Sequence, residues 1–426
     1  MLGWEFPPEI SGGLGIASYC LCKALAPLTE LTLVLPKADP EFKISKVNLI
    51  DLSKIKIEEV FEEDELKQFE RVIKEKRIEF SFSPYPIKPL KREIVSDKLI
   101  TVKKKSRTKS IKQVHTRFAS SDLYGLNILD KVKYYAELVS KVAADLSFDI
   151  IHVHDWMTCP AGVMLKEKFK KPLILHIHSL NYDRLGPDSL DWIYDIEKKA
   201  LRKADLIIPV SHYTGGIIHE FYKIPYKKIF PVHNGIEKVK RFRSEKKFPE
   251  KLILFMGRIT MQKGPEYFLE AAYKITKKID NVRFAIAGAG DKLKEIIESG
   301  SYGELGNKIH FTGFLKRQEV HYMLSIADVF CMPSVSEPFG LTALEAAQFG
   351  IPVVVSRQSG VAEVLQGALK VDFWDTEKMS ELILDLLTNK KLYKDCVAQG
   401  FRDIKKLTWA ETASKILGLY SRVIKR

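Results

Sequence analysis

Short apolar runs alternate along this chain with segments of helical periodicity, and this alternation constrains the fold more than any other feature. The runs are rich in β-branched residues and lie at 31–35, 149–153, 173–177, 206–210, 252–256, 282–287, 329–332 and 353–355. Runs this short and this apolar are typical of strands buried on both faces, as in parallel sheets. The segments 127–146, 190–203 and 264–278 carry apolar residues at the helical spacing of three and four. Repeated βα units predict an α/β fold with doubly wound sheets.

The length of the chain and one charged break predict two domains. A chain of 426 residues is long for one compact α/β core, whereas two domains of about 200 residues could each bury a core. Residues 237–251 are rich in Lys, Arg and Glu and have no apolar period, as is typical of a linker. We therefore expect domains at 1–236 and 251–408, an irregular excursion at 40–118 and a final helix within 409–426.

Composition argues against several other classes of protein. No apolar run reaches the roughly 18 residues that span a bilayer. The N-terminal residues lack the basic and apolar parts of a secretory signal, so a cytoplasmic location is the expectation. Five cysteines without paired CxxC motifs predict neither a disulfide framework nor a zinc site. The sequence contains no Asp-x-Asp triplet, so it predicts no metal site for a diphosphate.

The positive charge is concentrated in one segment. The chain has a net charge of +14, and residues 88–117 alone hold eleven Lys or Arg against Glu93 and Asp97. A solvated basic loop explains such a segment, and so does a peripheral contact with an anionic acceptor or membrane surface. Nucleic acid is not the expected partner. Single-strand binding calls for basic residues interleaved with base-stacking aromatics, and this segment does not have that pattern.

Two loops could each bind an anion. Gly12 and Gly13 precede an apolar helix at 16–25, so backbone N–H groups could face a phosphate there. Arg258 and Lys263 lie five residues apart in the loop after a strand, at the edge where open α/β sheets bind ligands. Two converging cations suit a diphosphate leaving group. The alternatives are a steric turn for the glycines and solvated surface charge for the cations.

The segment 333–345 is the most informative. It follows the run at 329–332 and leads into a helix that begins near Leu341. Glu337 lies in the loop and Glu345 lies about one turn into the helix, while Gly340 removes a side chain where the N–H groups of Leu341 and Thr342 could face an anion. The loop carboxylate could accept sugar hydroxyls and the helical one could reach a ribose. The alternative is an acid that only favours the helix dipole.

Taken together, these motifs resemble a known enzyme family. The Glu-x7-Glu element, the Gly-Arg-x4-Lys-Gly loop at 257–264 and the Gly-Gly loop resemble those of retaining GT-B glycosyltransferases of families 4 and 5, which include glycogen and starch synthases. The segment 152–156, His-Val-His-Asp-Trp, resembles the His-x-His-Asp-Trp element of glycogen synthases, and 177–182 resembles their Val-His-Asn-Leu segment. The resemblance covers nearly the whole chain except 40–118. Bacterial glycogen synthases carry Lys where this chain has Ile10, which moves the resemblance toward the broader family 4.

The resemblance implies a fold, a site and a reaction. The GT-B fold consists of two Rossmann-like domains that face a cleft, with the C-terminal helix crossing back onto the first domain. The implied donor site comprises Gly12 and Gly13 for phosphate, Asp155 and His178 for the sugar and reacting face, Arg258 and Lys263 for the diphosphate, Glu337 for sugar hydroxyls and Glu345 for the ribose. The implied reaction moves a hexosyl unit, glucosyl in a glycogen-synthase-like enzyme, from a UDP- or ADP-sugar to an acceptor hydroxyl with retention. Neither a cofactor nor a metal is expected.

Three alternatives stay open. The acceptor could be lipid-linked or a surface polysaccharide rather than an α-glucan. A sugar-nucleotide epimerase would use the same cleft without an acceptor, although the His-Asp-Trp element is evidence against it. A nucleic-acid-binding protein is suggested only by the charge.

Overall fold

The computed structural model describes residues 1–8, 13–39, 41–54, 57–59, 112–114, 118, 123–125, 127–188, 190–301 and 303–424, with side chains except at 57–59, 112–114 and 304. The strands are β1 Leu31–Leu35, β2 Val47–Asp51, β3 Ile57–Glu59, β4 Lys112–Val114, β5 Ile151–His154, β6 Leu173–Ile177, β7 Leu206–Pro209, β8 Lys251–Met256, β9 Val282–Ala287, β10 Ile309–Gly313, β11 Val329–Met332, β12 Val353–Ser356 and β13 Leu369–Val371. The helices are α1 Gly13–Leu25, α2 Ile128–Val142, α3 Asp155–Phe169, α4 Asn181–Leu185, α5 Trp192–Lys203, α6 His212–Glu220, α7 Pro265–Thr276, α8 Leu293–Gly300, α9 Arg317–Ile326, α10 Leu341–Gln348, α11 Val361–Val364, α12 Thr376–Thr388, α13 Lys390–Lys406 and α14 Trp409–Ile424.

The N-terminal half contains a parallel sheet that the first residues of the chain hold together. β1 pairs with β2, and β5, β6 and β7 pair in that order. Leu2 forms parallel bridges to Val34 and Val153 and so joins the two sets of strands. Alternate strand residues enter two cores, so that Val153 packs toward α2 and α3 while Ile174 packs toward α1 and α14. Burial on both faces explains why these strands are apolar throughout.

The C-terminal half contains a six-stranded parallel sheet in the order β10-β9-β8-β11-β12-β13. Its two faces enter separate cores, with Phe330 in the core beside α10 and Phe284 in the core beside α7 and α12. Both phenylalanines are 0% exposed, and burial of one such side chain contributes about 2–3 kcal/mol. The two sheets with helices on both faces match the doubly wound architecture predicted from the βα alternation.

Capping side chains and one proline set the starts of several helices. The side chain of Asp191 accepts hydrogen bonds from the backbone N–H groups of Ile193 and Tyr194 at the start of α5, and Ser211 caps α6 in the same way. Pro265 is the first residue of α7, where its missing N–H costs nothing. It follows Gly264, which has φ of 63° and whose missing side chain leaves room for the Pro333 carbonyl. Gly264 is therefore required twice over, for its backbone conformation and for the close approach.

The last helix returns to the first domain. α14 packs against α1 in the N-terminal half, and the Tyr420 hydroxyl lies 2.6 Å from His152 Nδ1. Thr412 Oγ1 donates to the His233 carbonyl at 2.9 Å. A side chain on Gly235 would overlap the backbone of Trp409, so this crossing needs glycine. The crossing helix that the resemblance implied is present.

The structure changes several details of the predicted organisation. The excursion expected at 40–118 does not begin at residue 40, because Val47–Asp51 forms β2 within the first sheet. Much of 55–122 lies outside the described residues, including the basic segment except for the backbone of 112–114. The charged segment 237–251 runs along the second domain, where Arg243 donates to the carbonyls of Ala327 and Gly350 and Lys246 pairs with Asp328 at 2.6 Å. The proposed domain limits themselves stay a prediction.

The helices of the described ranges are each too short or too polar to cross a membrane.

Candidate active site between the two sheets

The predicted site residues gather where the carboxyl ends of both sheets face each other. α1 of the first domain begins at Gly13, and α10 of the second begins at Leu341. A Cβ on Gly13 would lie 3.6 Å from Leu341 Cδ1, so the two helix starts are neighbours across the cleft. Gly12 lies outside the described residues. Two helix N-termini that face one space favour an anion between them.

Gln262 ties the cation loop to the glutamate loop. It is 4% exposed, and its Nε2 donates to the Ser336 carbonyl at 3.0 Å. Its own carbonyl accepts the N–H of Val335 at 2.9 Å. Arg258 contacts the same side chain, with Nη2 at 3.4 Å from Gln262 Oε1. The two loops therefore hold one fixed relation at the edge of the second sheet.

Lys263 and Glu337 form an ion pair within this site. Lys263 Nζ lies 2.6 Å from Glu337 Oε2, and the two side chains are 17% and 10% exposed. The sequence assigned these residues to separate parts of a donor and gave no sign that they touch, because they lie 74 positions apart. An ammonium has three N–H donors, so the pair leaves Lys263 able to bind another oxygen.

The start of α10 has the geometry expected of an anion-binding turn. Gly340 has φ of 104°, a conformation that disfavours other residues. A Cβ there would lie 3.0 Å from Met332 Cε and from Val361 Cγ1, so the position is also sterically closed. Thr342 is in the first turn, with its hydroxyl 3.9 Å from Met332 Sδ. The N–H groups of this turn are free of a capping side chain.

Glu345 lies on α10 in a half-buried position. Burial raises the pKa of its carboxyl to about 7, and the nearby Arg317 guanidinium opposes that rise. Arg317 begins α9 and also lies 3.5 Å from Glu237 of the interdomain segment. The carboxyl of Glu345 therefore changes its charge near neutral pH. Only its ionised form accepts hydrogen bonds with both oxygens from a hydroxyl ligand.

Asp155 and His178 meet at the carboxyl ends of β5 and β6. The Asp155 carboxylate accepts the backbone N–H of His178 at 2.7 Å and that of Ser179 at 3.3 Å. Burial raises the pKa of Asp155 to about 7, although these hydrogen bonds oppose the rise. Burial lowers the pKa of His178 to about 3, so its imidazole is neutral at physiological pH. Asp155 thus fixes the position of His178 by binding its backbone N–H rather than its ring.

Four histidines form a ladder beneath the cleft. His154 and His176 are register partners on β5 and β6. His154 Nδ1 lies 2.9 Å from His178 Nε2, and His152 Nε2 lies 3.3 Å from His176 Nδ1. Burial lowers the pKa of His152, His154 and His176 well below the ordinary value, and the neighbouring imidazoles add to this effect.

The ladder geometry suits hydrogen bonding better than metal binding. One ring nitrogen from each of His152, His154 and His176 lies within 4.8 Å of the others. The rings of His152 and His154 are stacked at an interplanar angle of 22° and those of His154 and His176 at 29°, while those of His152 and His176 are tilted at 46°. The nitrogen contacts of 2.9 and 3.3 Å already use one ring nitrogen of each of the four histidines. We therefore describe this cluster as a hydrogen-bonded support for His178.

A buried carboxylate of the first domain contacts the glutamate loop of the second. Asp183 Oδ1 accepts the Ser336 hydroxyl at 2.5 Å. The Tyr213 hydroxyl donates to the same Ser336 oxygen at 3.0 Å. Ser336 directly precedes Glu337, so the first domain supports the loop that carries the predicted sugar ligand.

A second interdomain contact lies at the start of α6. The carboxylate of Glu363 accepts the backbone N–H of His212 at 3.0 Å and that of Tyr213 at 2.6 Å. His233 Nε2 lies 2.6 Å from the same carboxylate, and these contacts hold the pKa of Glu363 below its usual value against the effect of burial. The negative Glu363 carboxylate therefore lies at the N-terminal end of α6, where the helix dipole is positive.

Sequence reasoning found the main loops and missed the contacts that connect them. His176 could have been noticed, because it lies two positions before His178, and residues two apart in an extended segment point to the same side. Asp183, Tyr213, Gln262 and Ser336 carry no local signal of that kind. Their importance comes from contacts between segments 74 to 153 positions apart.

Two family models match adjoining parts of the chain. The model described as "Glycosyltransferase Family 4" matches residues 98–239, and "Glycosyl transferases group 1" matches residues 237–403. Together they cover the second sheet and strands β5, β6 and β7 of the first, whereas β1, β2 and α1 precede the matched residues. The chain belongs to the GT-B glycosyltransferases of the family 4/5 type. The resemblance to GT-B glycosyltransferases of families 4 and 5 is thereby confirmed, and retention stays a prediction.

Individual relatives of this glycosyltransferase match about half of it. An uncharacterized glycosyltransferase of Methanocaldococcus jannaschii is 35% identical over 237 residues, which are 51% of this chain and 60% of the relative. A glycogen synthase of Mycobacterium tuberculosis is 27% identical over 236 residues, which are 53% of this chain and 57% of the relative. The chain thus matches less than two thirds of the length of these curated relatives.

Solved structures show the same fold over the full chain. The glycosyltransferase is similar to sucrose-phosphate synthase from Thermosynechococcus elongatus, with a TM-score of 0.68, 18% identity and coverage of 100% of this chain and 96% of the other. It is also similar to Anabaena Alr3699/HepE in complex with UDP and glucose, with a TM-score of 0.64, 15% identity and coverage of 99% and 98%. The predicted GT-B fold is confirmed.

Proposed function

We propose that this glycosyltransferase moves a hexosyl unit, glucosyl in the leading case, from a UDP- or ADP-sugar to an acceptor hydroxyl with retention at the anomeric carbon. The observation that supports this most is the arrangement of Arg258, Lys263 and the start of α10 at one edge of the cleft, opposite Gly13 of the first domain. Three positive elements around one space suit the diphosphate of a nucleotide sugar.

The roles of the charged residues follow from their contacts. Negative charge grows on the diphosphate as the glycosidic bond breaks, and Arg258, Lys263 and the N–H groups of Leu341 and Thr342 would stabilise that charge. Glu337 holds Lys263 at 2.6 Å, which orients the ammonium before the donor arrives. The same glutamate would accept hydrogen bonds from sugar hydroxyls with its remaining lone pairs.

The reacting face would lie on the first domain. His178 is neutral, because burial lowers its pKa to about 3, and it could donate or accept a hydrogen bond at the sugar without bringing a charge. Asp155 fixes its backbone at 2.7 Å and His154 fixes its ring at 2.9 Å. Retention in this scheme places the leaving diphosphate and the attacking hydroxyl on the same face of the sugar.

An assay with several donors and acceptors tests the proposed function. The purified chain would be incubated with UDP-glucose, ADP-glucose and other nucleotide sugars, each with glycogen, with a lipid-linked acceptor or with no acceptor, and the release of nucleoside diphosphate would be measured. Release that depends on glycogen supports an α-glucan transferase, and release that depends on a lipid-linked acceptor supports the alternative acceptor. Interconversion of the donor sugar without an acceptor would support an epimerase, and no reaction with any donor would refute the proposal.

A further inference from the structure

Ser336 belongs to the second domain, yet two side chains of the first domain hold its hydroxyl. The hydroxyl donates to Asp183 at 2.5 Å and accepts from the Tyr213 hydroxyl at 3.0 Å. Asp183 is 3% exposed and Ser336 is 5% exposed, so this contact is inside the interdomain boundary. Hydrogen bonds that are shielded from water in this way are directional and costly to break.

Ser336 is also tied to the residues that would contact the donor. Its carbonyl accepts Gln262 Nε2 at 3.0 Å, and Gln262 directly precedes Lys263. On its other side it is covalently joined to Glu337, whose carboxylate pairs with Lys263. Any shift of Ser336 would therefore move both members of that ion pair.

Asp183 is itself firmly placed by its own domain. Its second carboxylate oxygen accepts the N–H of Leu180 at 2.7 Å. The buried Glu197 holds the next residue, Asn181, through its backbone N–H at 3.0 Å. This short helix, α4, follows β6 and His178 with a gap of two residues. One rigid segment thus connects the reacting-face histidine to the loop of the opposite domain.

A buried carboxylate is a costly way to hold two domains together. An apolar contact of the same size would usually stabilise an interface as well or better, because it avoids the cost of removing the charge from water. What the carboxylate adds is a fixed direction for one particular hydroxyl. The contact therefore sets the position of the Ser336 loop in addition to joining the two domains.

We infer that Asp183 is a positioning residue that couples closure of the two domains to the placement of Glu337 and Lys263, acting through the Ser336 hydroxyl. The inference rests on the proposed function, which gives Glu337 and Lys263 their roles. When the domains separate, the Asp183 and Tyr213 contacts to Ser336 break together and the loop loses its support from the first domain. Transfer therefore needs the closed arrangement, in which donor ligands and His178 are assembled at once.

Kinetics of a mutant cycle test this coupling. Asp183→Ala and Ser336→Ala should each lower kcat by about tenfold to a hundredfold, the scale of one charge-assisted hydrogen bond. The double variant should be no slower than the slower single variant, because both changes remove the same contact. Ser336→Thr, which keeps the hydroxyl, should recover most of the activity. Asp195→Asn, at an exposed carboxylate on α5, is the matched control and should behave like the wild type.

Small-angle scattering supplies a readout that needs no turnover. Asp183→Ala and Ser336→Ala should each have a larger radius of gyration than the wild type and the Asp195→Asn control. Losses in kcat that multiply in the double variant, or scattering profiles that match the wild type, would each overturn the inference. If the wild type reacts with no nucleotide sugar, the proposed function fails, and the scattering comparison still decides whether Asp183 holds the domains closed.

Discussion

Replacement of Lys263 by alanine should lower both the turnover and the stability of the protein, because the Lys263 ammonium is proposed to bind the diphosphate and also neutralises Glu337. This ammonium lies 2.6 Å from the Glu337 carboxylate, and the side chains are 17% and 10% exposed. Loss of one cation that stabilises a departing diphosphate costs about 3 kcal/mol, or roughly a hundredfold in kcat. The same change leaves a largely buried carboxylate without its partner, at a cost of about 1–3 kcal/mol in the free energy of unfolding.

The double variant Lys263→Ala/Glu337→Gln distinguishes these effects. It removes the unpaired charge, so the melting temperature should return toward that of the wild type while kcat stays low. Lys308→Ala is a suitable control, because Lys308 pairs with Asp280 at 3.1 Å before β9 and β10, at the opposite edge of the sheet. Initial rates and thermal melts measure both quantities. Near-normal turnover by Lys263→Ala with the best donor would refute its assignment to the diphosphate.

Further predictions test the remaining parts of the site. Arg258→Ala should lower kcat by roughly a hundredfold with little change in melting temperature; rates near those of the wild type would remove Arg258 from the diphosphate site. Glu337→Gln should impair transfer, because an amide cannot reproduce a charge-assisted hydrogen bond to a sugar hydroxyl; unchanged kinetics would place Glu337 outside the sugar site. Burial raises the pKa of Glu345 to about 7, so the carboxyl is protonated at pH 6 and ionised at pH 8. The KM for donor should fall by up to about tenfold across that range if the carboxylate accepts the ribose hydroxyls, and a Glu345→Gln variant that shows the same pH dependence would contradict this. Activity should persist in EDTA, and a complete loss that Mg²⁺ or Mn²⁺ restores would show that a metal is needed. If the basic segment binds membranes, the wild type should float with anionic liposomes at low salt and not at high salt. A variant with serine at Lys103, Lys104, Lys105, Arg107 and Lys109 should then lose this flotation. Flotation of the variant equal to that of the wild type would contradict the membrane hypothesis.

The sequence predicted those parts of the fold whose burial is uniform. β9 and β11 are apolar runs because both faces of the second sheet are covered, and both were found with their observed bounds. β10 was missed, since it alternates buried and exposed residues at the edge of the sheet. β2 was missed for a similar reason, because only one neighbour covers it and its residues are mostly half-buried. Edge strands give weaker patterns than central ones.

The candidate site was predictable only as separate loops. Gly340, Arg258 and Glu345 each belong to a local motif that a single segment displays. The ion pair of Lys263 with Glu337 and the contact of Asp183 with Ser336 depend on how two sheets approach each other, and no spacing along the chain encodes that approach. Ladder contacts such as His154 with His176 require the register of β5 against β6, which periodicity does not give.

Product analysis tests the central claim most directly. The wild type and Lys263→Ala would be incubated with UDP-glucose or ADP-glucose and glycogen, and the anomeric configuration of the new linkage would be read by proton NMR. We expect nucleoside diphosphate release that depends on the acceptor, an α-linkage formed from the α-configured donor, and a rate about a hundredfold lower in the variant. A β-linked product would contradict retention, and the absence of transfer from every nucleotide sugar to every acceptor tested would contradict the proposed function itself.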